Sequence, residues 1–186
     1  TLCILPMNKI YTGIGSRETP KHIMQVMTDI AIFLADRDWT LRSGGAEKAD
    51  QAFQLGAKKK EIFLPWNGFE GWVEDGIDFI VPPYDEYYPR LYHRKFSSLS
   101  ERGRLFMSRN TNQILGRDID NPVKTDAVFC WTWNGKGAGG TGQAIRIAND
   151  LKIPVLNLKY MPKVVKWFNE VLLVKDFDYL LLDAYL

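Results

Sequence analysis

Apolar side chains recur at Ile23, Met27, Ile30 and Leu34, the spacing of one helical face. Ahead of them, Thr19 is suited to an N-cap and Pro20 to the first helical position. The run NKIYT at 8–12 predicts a short strand before this helix, and WTLRSGG a second strand ending in glycines. AEKADQAFQLGA then predicts a short helix with Ala46, Ala49, Phe53 and Ala57 inward and a stop near Gly56. EIFLPW reads as a third strand. This β-α-β-α-β order predicts parallel strands with helices packed on them.

The pattern changes in the middle of the chain and then returns. DFIVPP is a fourth strand candidate, and the following stretch predicts two helices, at about 86–96 and 101–116. DAVFCWTW contains the apolar run AVFCW, of the kind buried on both faces of a parallel sheet. A glycine-rich loop leads from it into the helix QAIRIANDL and the strand IPVLNL, and PKVVKWFNEVLL predicts a last amphipathic helix with a short apolar tail beyond it. No linker or repeat interrupts this order. The expectation is an α/β, doubly wound, mostly parallel sheet with helices on both faces, forming one domain over 7–186 with a basic helical insertion at about 84–120.

Charge and composition refine this only locally. The chain of 186 residues carries 24 basic and 22 acidic side chains, too balanced to announce a nucleic-acid binder as a whole. Between 85 and 117, however, seven Arg/Lys stand against three Asp/Glu. Two cysteines, Cys3 and Cys130, are too few for a disulfide framework or a metal cluster, and Cys130 lies in a buried-strand pattern. His22 and His93 have no acidic or cysteine partner at ligand spacing, so no metal site is expected. No apolar run approaches the roughly 18 residues of a membrane span. A reducing, cytoplasmic setting is the expectation, with no membrane partner and with Met7 as the natural start.

Candidate chemistry lies in three glycine-containing loops, each between a strand and a helix. They are GIGSR (Gly13, Gly15, Ser16, Arg17), SGGA (Ser43, Gly44, Gly45, Ala46) and the loop at 134–142, with five glycines in nine residues, among them Gly139 and Gly140 before Thr141. In an open parallel sheet all three lie at the carboxyl edge, where ligands bind. Glycine lets backbone amides approach an anion, and a helix N-terminus adds about half a positive charge. Arg17 supplies an always-charged planar partner for phosphate. Thr141 is placed to donate to a phosphate or to cap its helix. Asp50 is placed to accept from a ribose hydroxyl, or to be solvated on its helix. Arg109 and Asn110 bring a guanidinium and an amide. Trp131 and Trp133 alternate with Thr132 at a strand end; one is expected to face the core and the other, near the glycine loop, to stack on a base. No loop closes with Gly-Lys-Ser/Thr, and GIGSR lacks the third glycine of the dinucleotide fingerprint. ATP hydrolysis of the Walker kind and an ordinary NAD site are therefore not expected, and no cofactor is.

The ordered motifs GIGSR, SGGAEKAD, SRN, GGTGQAIRIA and IPVLNL, over about 8–158, resemble the SLOG superfamily. That group joins Smf/DprA-like proteins with LOG proteins. The first half is most similar to the DprA-like and YspA-like branches. The matching positions are Gly15, Ser16, Arg17, Ser43, Gly44, Gly45, Ala46, Asp50 and Ala52, and Arg109 and Asn110 match a segment before the penultimate strand. The resemblance implies a Rossmann-like fold, a nucleotide or nucleic-acid phosphate site at the strand edge, and a homo-oligomer; compact members also look like phage-encoded proteins. LOG proteins are nucleoside-monophosphate phosphoribohydrolases, but aligning Gly140 and Thr141 with their Gly-Thr puts Ala144 where the catalytic Glu stands. A hydrolase would then need a carboxylate such as Asp50, Asp118 or Glu47. The leading expectation is a binding protein for a nucleotide-derived, ADP-ribose-like ligand. The alternatives are a DprA-like single-stranded DNA binder, using the basic stretch 90–117, and an N-glycoside hydrolase.

Overall fold

A computed structural model describes residues 7–137 and 139–174. Cys3, the expected start at Met7 relative to what precedes it, and the apolar tail after the last helix involve residues outside that range.

Among the described residues the sheet has six strands, all parallel: β1 (Ile10–Gly13), β2 (Thr40–Ser43), β3 (Lys59–Phe63), β4 (Phe79–Ile80), β5 (Ala127–Cys130) and β6 (Val155–Asn157). Their spatial order is β4-β3-β2-β1-β5-β6. The chain moves outward from β1 to β4, then returns to lay β5 on the other side of β1. β1 therefore pairs with both, Thr12 lying opposite Arg42 on one side and Val128 on the other. This reversal is the switch point at which open α/β sheets form a crevice.

Among the described residues the α-helices are α1 (Lys21–Ala35), α2 (Ala49–Gly56), α3 (Tyr87–Tyr92), α4 (Glu101–Leu115), α5 (Gly139–Asp150) and α6 (Met161–Val171). Strand side chains alternate between two cores, as the pleat requires. Tyr11, Leu41, Phe129 and Leu156 join buried residues of α1, α2 and α6 on one face. Val128 and Cys130 join Ile114 and Leu115 of α4 and Ala144, Ile145 and Ala148 of α5 on the other. Cys130 is fully buried, and burial pushes its thiol up to about 12, so it is an inert core residue. No helix among the described residues is long and apolar enough to cross a membrane.

The doubly wound α/β expectation holds, and the whole sheet is parallel. Local details differ. Thr19 is not an N-cap: α1 starts one residue after Pro20, and the Thr19 hydroxyl donates to Ser16 O at 2.6 Å, closing the preceding loop. Ala46 lies in the loop before α2 rather than on its inward face. The first helix of the middle region stops at Tyr92, because the chain turns at His93 into a separate 3-10 turn at Phe96–Ser98. The stretch expected as an insertion is the crossover from β4 to β5, and α4 within it forms part of the second helical layer. Every residue of α4 from Met107 to Leu115 is buried although most are polar. The strand positions below are polar too: Thr12 Oγ1 donates to Gln113 O at 2.6 Å, and Arg42 donates to Glu61 and Val123 O. The Thr12 bond joins sheet to helix, while Arg109 Nε, Thr111 Oγ1 and Asn112 Oδ1 of the same segment are buried without a hydrogen-bond partner among the described residues.

Candidate functional site

The loop after β1 continues the β1–β5 pairing. Ile14 N donates to Phe129 O and Ser16 N to Trp131 O, both at 3.1 Å. Thr19 N then donates back to Ser16 O, so the chain turns sharply and leaves Arg17 exposed at the tip. Across β5, the loop after Trp131 turns through Asn134, whose Oδ1 accepts from Lys136 N and Gly137 N. It enters α5, where the Thr141 hydroxyl donates to Gly15 O at 3.2 Å and ties the helix start to the β1 loop. That bond engages the Thr141 proton, so this hydroxyl does not donate to a ligand, and Thr141 lies inside the first turn of α5 rather than at its cap.

Between these loops and α4 lies a cleft of about 530 Å³. Gly15, Ser16, Arg17 and Glu18 form one wall, Gly140 and Thr141 another, and Phe106, Arg109, Asn110 and Gln113 of α4 a third, with Ala46 and Asp50 at the side of α2. Its size is that of a small-molecule site.

Asp50 and Arg109 dominate the interior. Asp50 is 4% exposed and its Oδ2 accepts from Gly44 N and Ala46 N, both at 3.2 Å, with the Gly15 amide a further donor. The carboxylate therefore fills the anion-accepting nest of the SGGA loop from within. Of the two expectations for Asp50, solvation on its helix is corrected, since the side chain is buried; it lines the cleft, with its Oδ2 already accepting from the Gly44 and Ala46 amides of the SGGA loop. Ser43 turns inward as well, donating to Gly13 O at 2.6 Å. Gly45 accepts the Trp72 indole N–H and fixes the loop in place.

Arg109 is 5% exposed and reaches within 3.9 Å of Asp50 Oδ2. Its guanidinium lies over the rings of Phe69 and Phe106, 5.8 and 5.6 Å from their centres. Among the described residues it donates no hydrogen bond, and its Nε is buried without a partner. Gly44 makes room for this placement: a Cβ there would lie 1.2 Å from Arg109 Nη1. Burial, first, and the neighbouring Arg17 lower the Arg109 pKa to about 10 against the pull of Asp50, so it stays charged at neutral pH. Burial also raises the Asp50 carboxyl from 3.8 to about 6, the pull of Arg109 and the loop amides notwithstanding.

The Asp50 shift carries a sign. Between pH 4 and 6 the folded protein holds a proton that the unfolded chain has released. This contribution to stability is fully present below about pH 4 and is lost as pH rises through 6. A shift of about two units corresponds to roughly 3 kcal/mol. Urea unfolding from pH 4 to 7 checks it, taken as the difference between the native protein and the variant carrying both Asp50→Asn and Arg109→Met. Stability of the native protein should fall relative to the variant as pH rises, and a flat or rising difference refutes the assignment.

The remaining expected residues divide. Arg17, Ser16, Gly15, Ala46, Asn110, Gly140 and Thr141 reach the cleft together with Arg109 and Asp50. Gly13, Ser43, Gly44, Gly45 and Gly139 do not line it. Gly13 has a packing role, since a Cβ there would fall 2.5 Å from the Phe53 ring. Trp131 is not the rim aromatic: it packs against the core, and Trp133, 65% exposed, stands in the cleft wall beneath Lys159. The sequence reading missed Glu18, Phe106 and Gln113. Glu18 follows Arg17 directly and was legible as a loop carboxylate; nothing local marks Phe106 or Gln113, which the α4 crossover brings in. Of the hydrolase carboxylates considered, Asp118 is engaged with Asn121 and neither it nor Glu47 lines the cleft. Compared with models of protein families, with curated proteins and with solved structures, the chain matches none.

Proposed function

We propose that the cleft binds a nucleotide or nucleotide-derived small molecule of the ADP-ribose type, as a SLOG-like protein would. One observation carries this: a guanidinium nine-tenths buried in the cleft wall donates no hydrogen bond to the described protein. Arg109 has one carboxylate at 3.9 Å, and that carboxylate is committed to loop amides. An anion entering the cleft would complete it with charge-assisted hydrogen bonds. The Asn110 side-chain amide, also without a hydrogen-bond partner among the described residues and 6% exposed, lies beside Gly140 at the start of α5. The first-turn N–H groups of a helix have no intrahelical acceptors and favour anions. Trp133 offers a ring face on which a base can stack.

The basic stretch supports a nucleic-acid groove less well. Arg90 is paired with Glu86, Arg104 with Ser97 O, Arg109 with Asp50 and Arg117 with Glu61, leaving Arg94, Lys95 and Arg102 of the seven.

Calorimetry against a panel of nucleotides tests the proposal, with an unstructured DNA oligonucleotide run beside it. A nucleotide is expected to bind at sub-millimolar concentration, and Arg109→Met to abolish the signal while the variant remains folded by circular dichroism. No heat with any nucleotide, or oligonucleotide binding alone that collapses with salt, refutes it.

A further inference from the structure

Two guanidinium groups reach the cleft from separate elements: Arg17 has no carboxylate partner among the described residues, and Arg109 has Asp50 at 3.9 Å but donates no hydrogen bond to the described protein. Arg109 approaches from α4, inside the wall. Arg17 approaches from the tip of the β1–α1 loop, exposed, and has no hydrogen bond or ion pair among the described residues. They are near enough for Arg17 to disfavour the positive charge of Arg109. Asp50, 3.9 Å from Arg109, offsets this repulsion on the inner guanidinium but forms no ion pair with Arg17. Asp50 faces the loop amides, and Glu18, the other carboxylate lining the cleft, is exposed to water, where its field is screened.

The loop that holds Arg17 is itself fixed. Ser16 N and Thr19 N are both bonded, and Ser16 Oγ accepts from Glu18 N at 3.1 Å. The backbone below Arg17 thus does not need ordering when a ligand arrives. The Ser16 hydroxyl proton has no acceptor among the described residues and adds a donor beside the guanidinium. The inner position has Arg109, Asn110 and the start of α5; the outer one has Arg17 and Ser16.

Resting on the nucleotide reading, we infer that the cleft selects ligands with two linked phosphoryl groups over those with one, the inner group on Arg109 and Asn110 and the outer on Arg17 and Ser16. A single phosphate at the inner position leaves Arg17 without a partner. A diphosphate sets one anionic group against each guanidinium. The 530 Å³ of the cleft leaves room for a nucleoside beyond them.

Calorimetry at fixed ionic strength with AMP, ADP and ADP-ribose tests this on the native protein, Arg17→Ala and Arg17→Lys. ADP and ADP-ribose should bind at least tenfold more tightly than AMP. Arg17→Ala should erase that preference, weakening both diphosphates tenfold or more and AMP less than threefold. Arg17→Lys should restore part of it, as a point charge without the planar fork. Because Arg17 is exposed, these variants keep the fold. Equal affinities for the three ligands, or an Arg17→Ala loss of the same size for all, overturn the diphosphate preference and leave the nucleotide reading standing. Failure of all three ligands to bind overturns both.

Discussion

Replacing the buried pair by neutral side chains, Asp50→Asn together with Arg109→Met, raises the stability of the fold by about 1–4 kcal/mol at pH 7 and abolishes nucleotide binding. The expectation follows from how poorly the pair is compensated. Both side chains are 6% exposed, their closest approach is 3.9 Å, and the guanidinium donates no hydrogen bond to the described protein. Desolvating two ions at that separation costs more than their attraction returns, and buried pairs replaced by neutral side chains of similar volume are commonly neutral or stabilising by this amount. Asn keeps an oxygen where Asp50 Oδ2 accepts from Gly44 and Ala46. Met is flexible and apolar, and fills the space over Phe69 and Phe106. For a chain of this length, about 2–4 °C of melting temperature is expected per kcal/mol. Urea and thermal unfolding measure the gain. A large loss of stability instead would mean that the pair holds the fold together and is not a site kept at the expense of stability.

Gly44→Ala is expected to weaken nucleotide binding about 100-fold while lowering stability by only about 1–3 kcal/mol. The added Cβ would lie 1.2 Å from Arg109 Nη1 and 2.4 Å from Gln113 Nε2. Both are ends of flexible side chains, so the fold can accommodate the methyl by moving them, at the usual cost of overpacking. The guanidinium then leaves the position from which it meets the ligand. Hydrogen bonds to a charged group are worth roughly 1.5–3 kcal/mol each, and losing one or two gives the stated factor. Calorimetry and unfolding on the same preparation separate the two effects. Undiminished affinity would show that Arg109 does not contact the ligand.

The two variants distinguish jobs that are easily confused. Glycines 13, 44 and 45 look in the sequence like one kind of residue, a backbone that opens to an anion. In the structure Gly13 accommodates the Phe53 ring, Gly44 accommodates Arg109, and Gly45, at φ +71°, shapes a turn held by Trp72. The nearest anion to this loop is the protein's own carboxylate.

What the chain determined by itself was the kind and order of its elements. The helical repeat from Ile23 to Leu34, the apolar run at 127–130 and the alternation of strands with helices are local patterns. Each is set by which side chains can be removed from water at a given period. That order implies a parallel sheet, and a parallel sheet with a change of direction implies a crevice, so the β1 loop and the start of α5 were legible as its walls. Only the tertiary structure decided what fills and faces that crevice. The polar segment Ser108–Gln113 is buried because the crossover lays it on the sheet, where the polar strand residue Thr12 bonds to Gln113 O. Asp50 became an internal counter-ion because α2 starts where the SGGA amides converge. Trp133 rather than Trp131 reached the rim because β5 ends at Cys130, before strand alternation extends to either ring. Such pairings join residues distant in sequence or set by where an element stops, and periodicity carries no record of either. Element type follows from the local chain; the chemistry of the site follows from which elements meet.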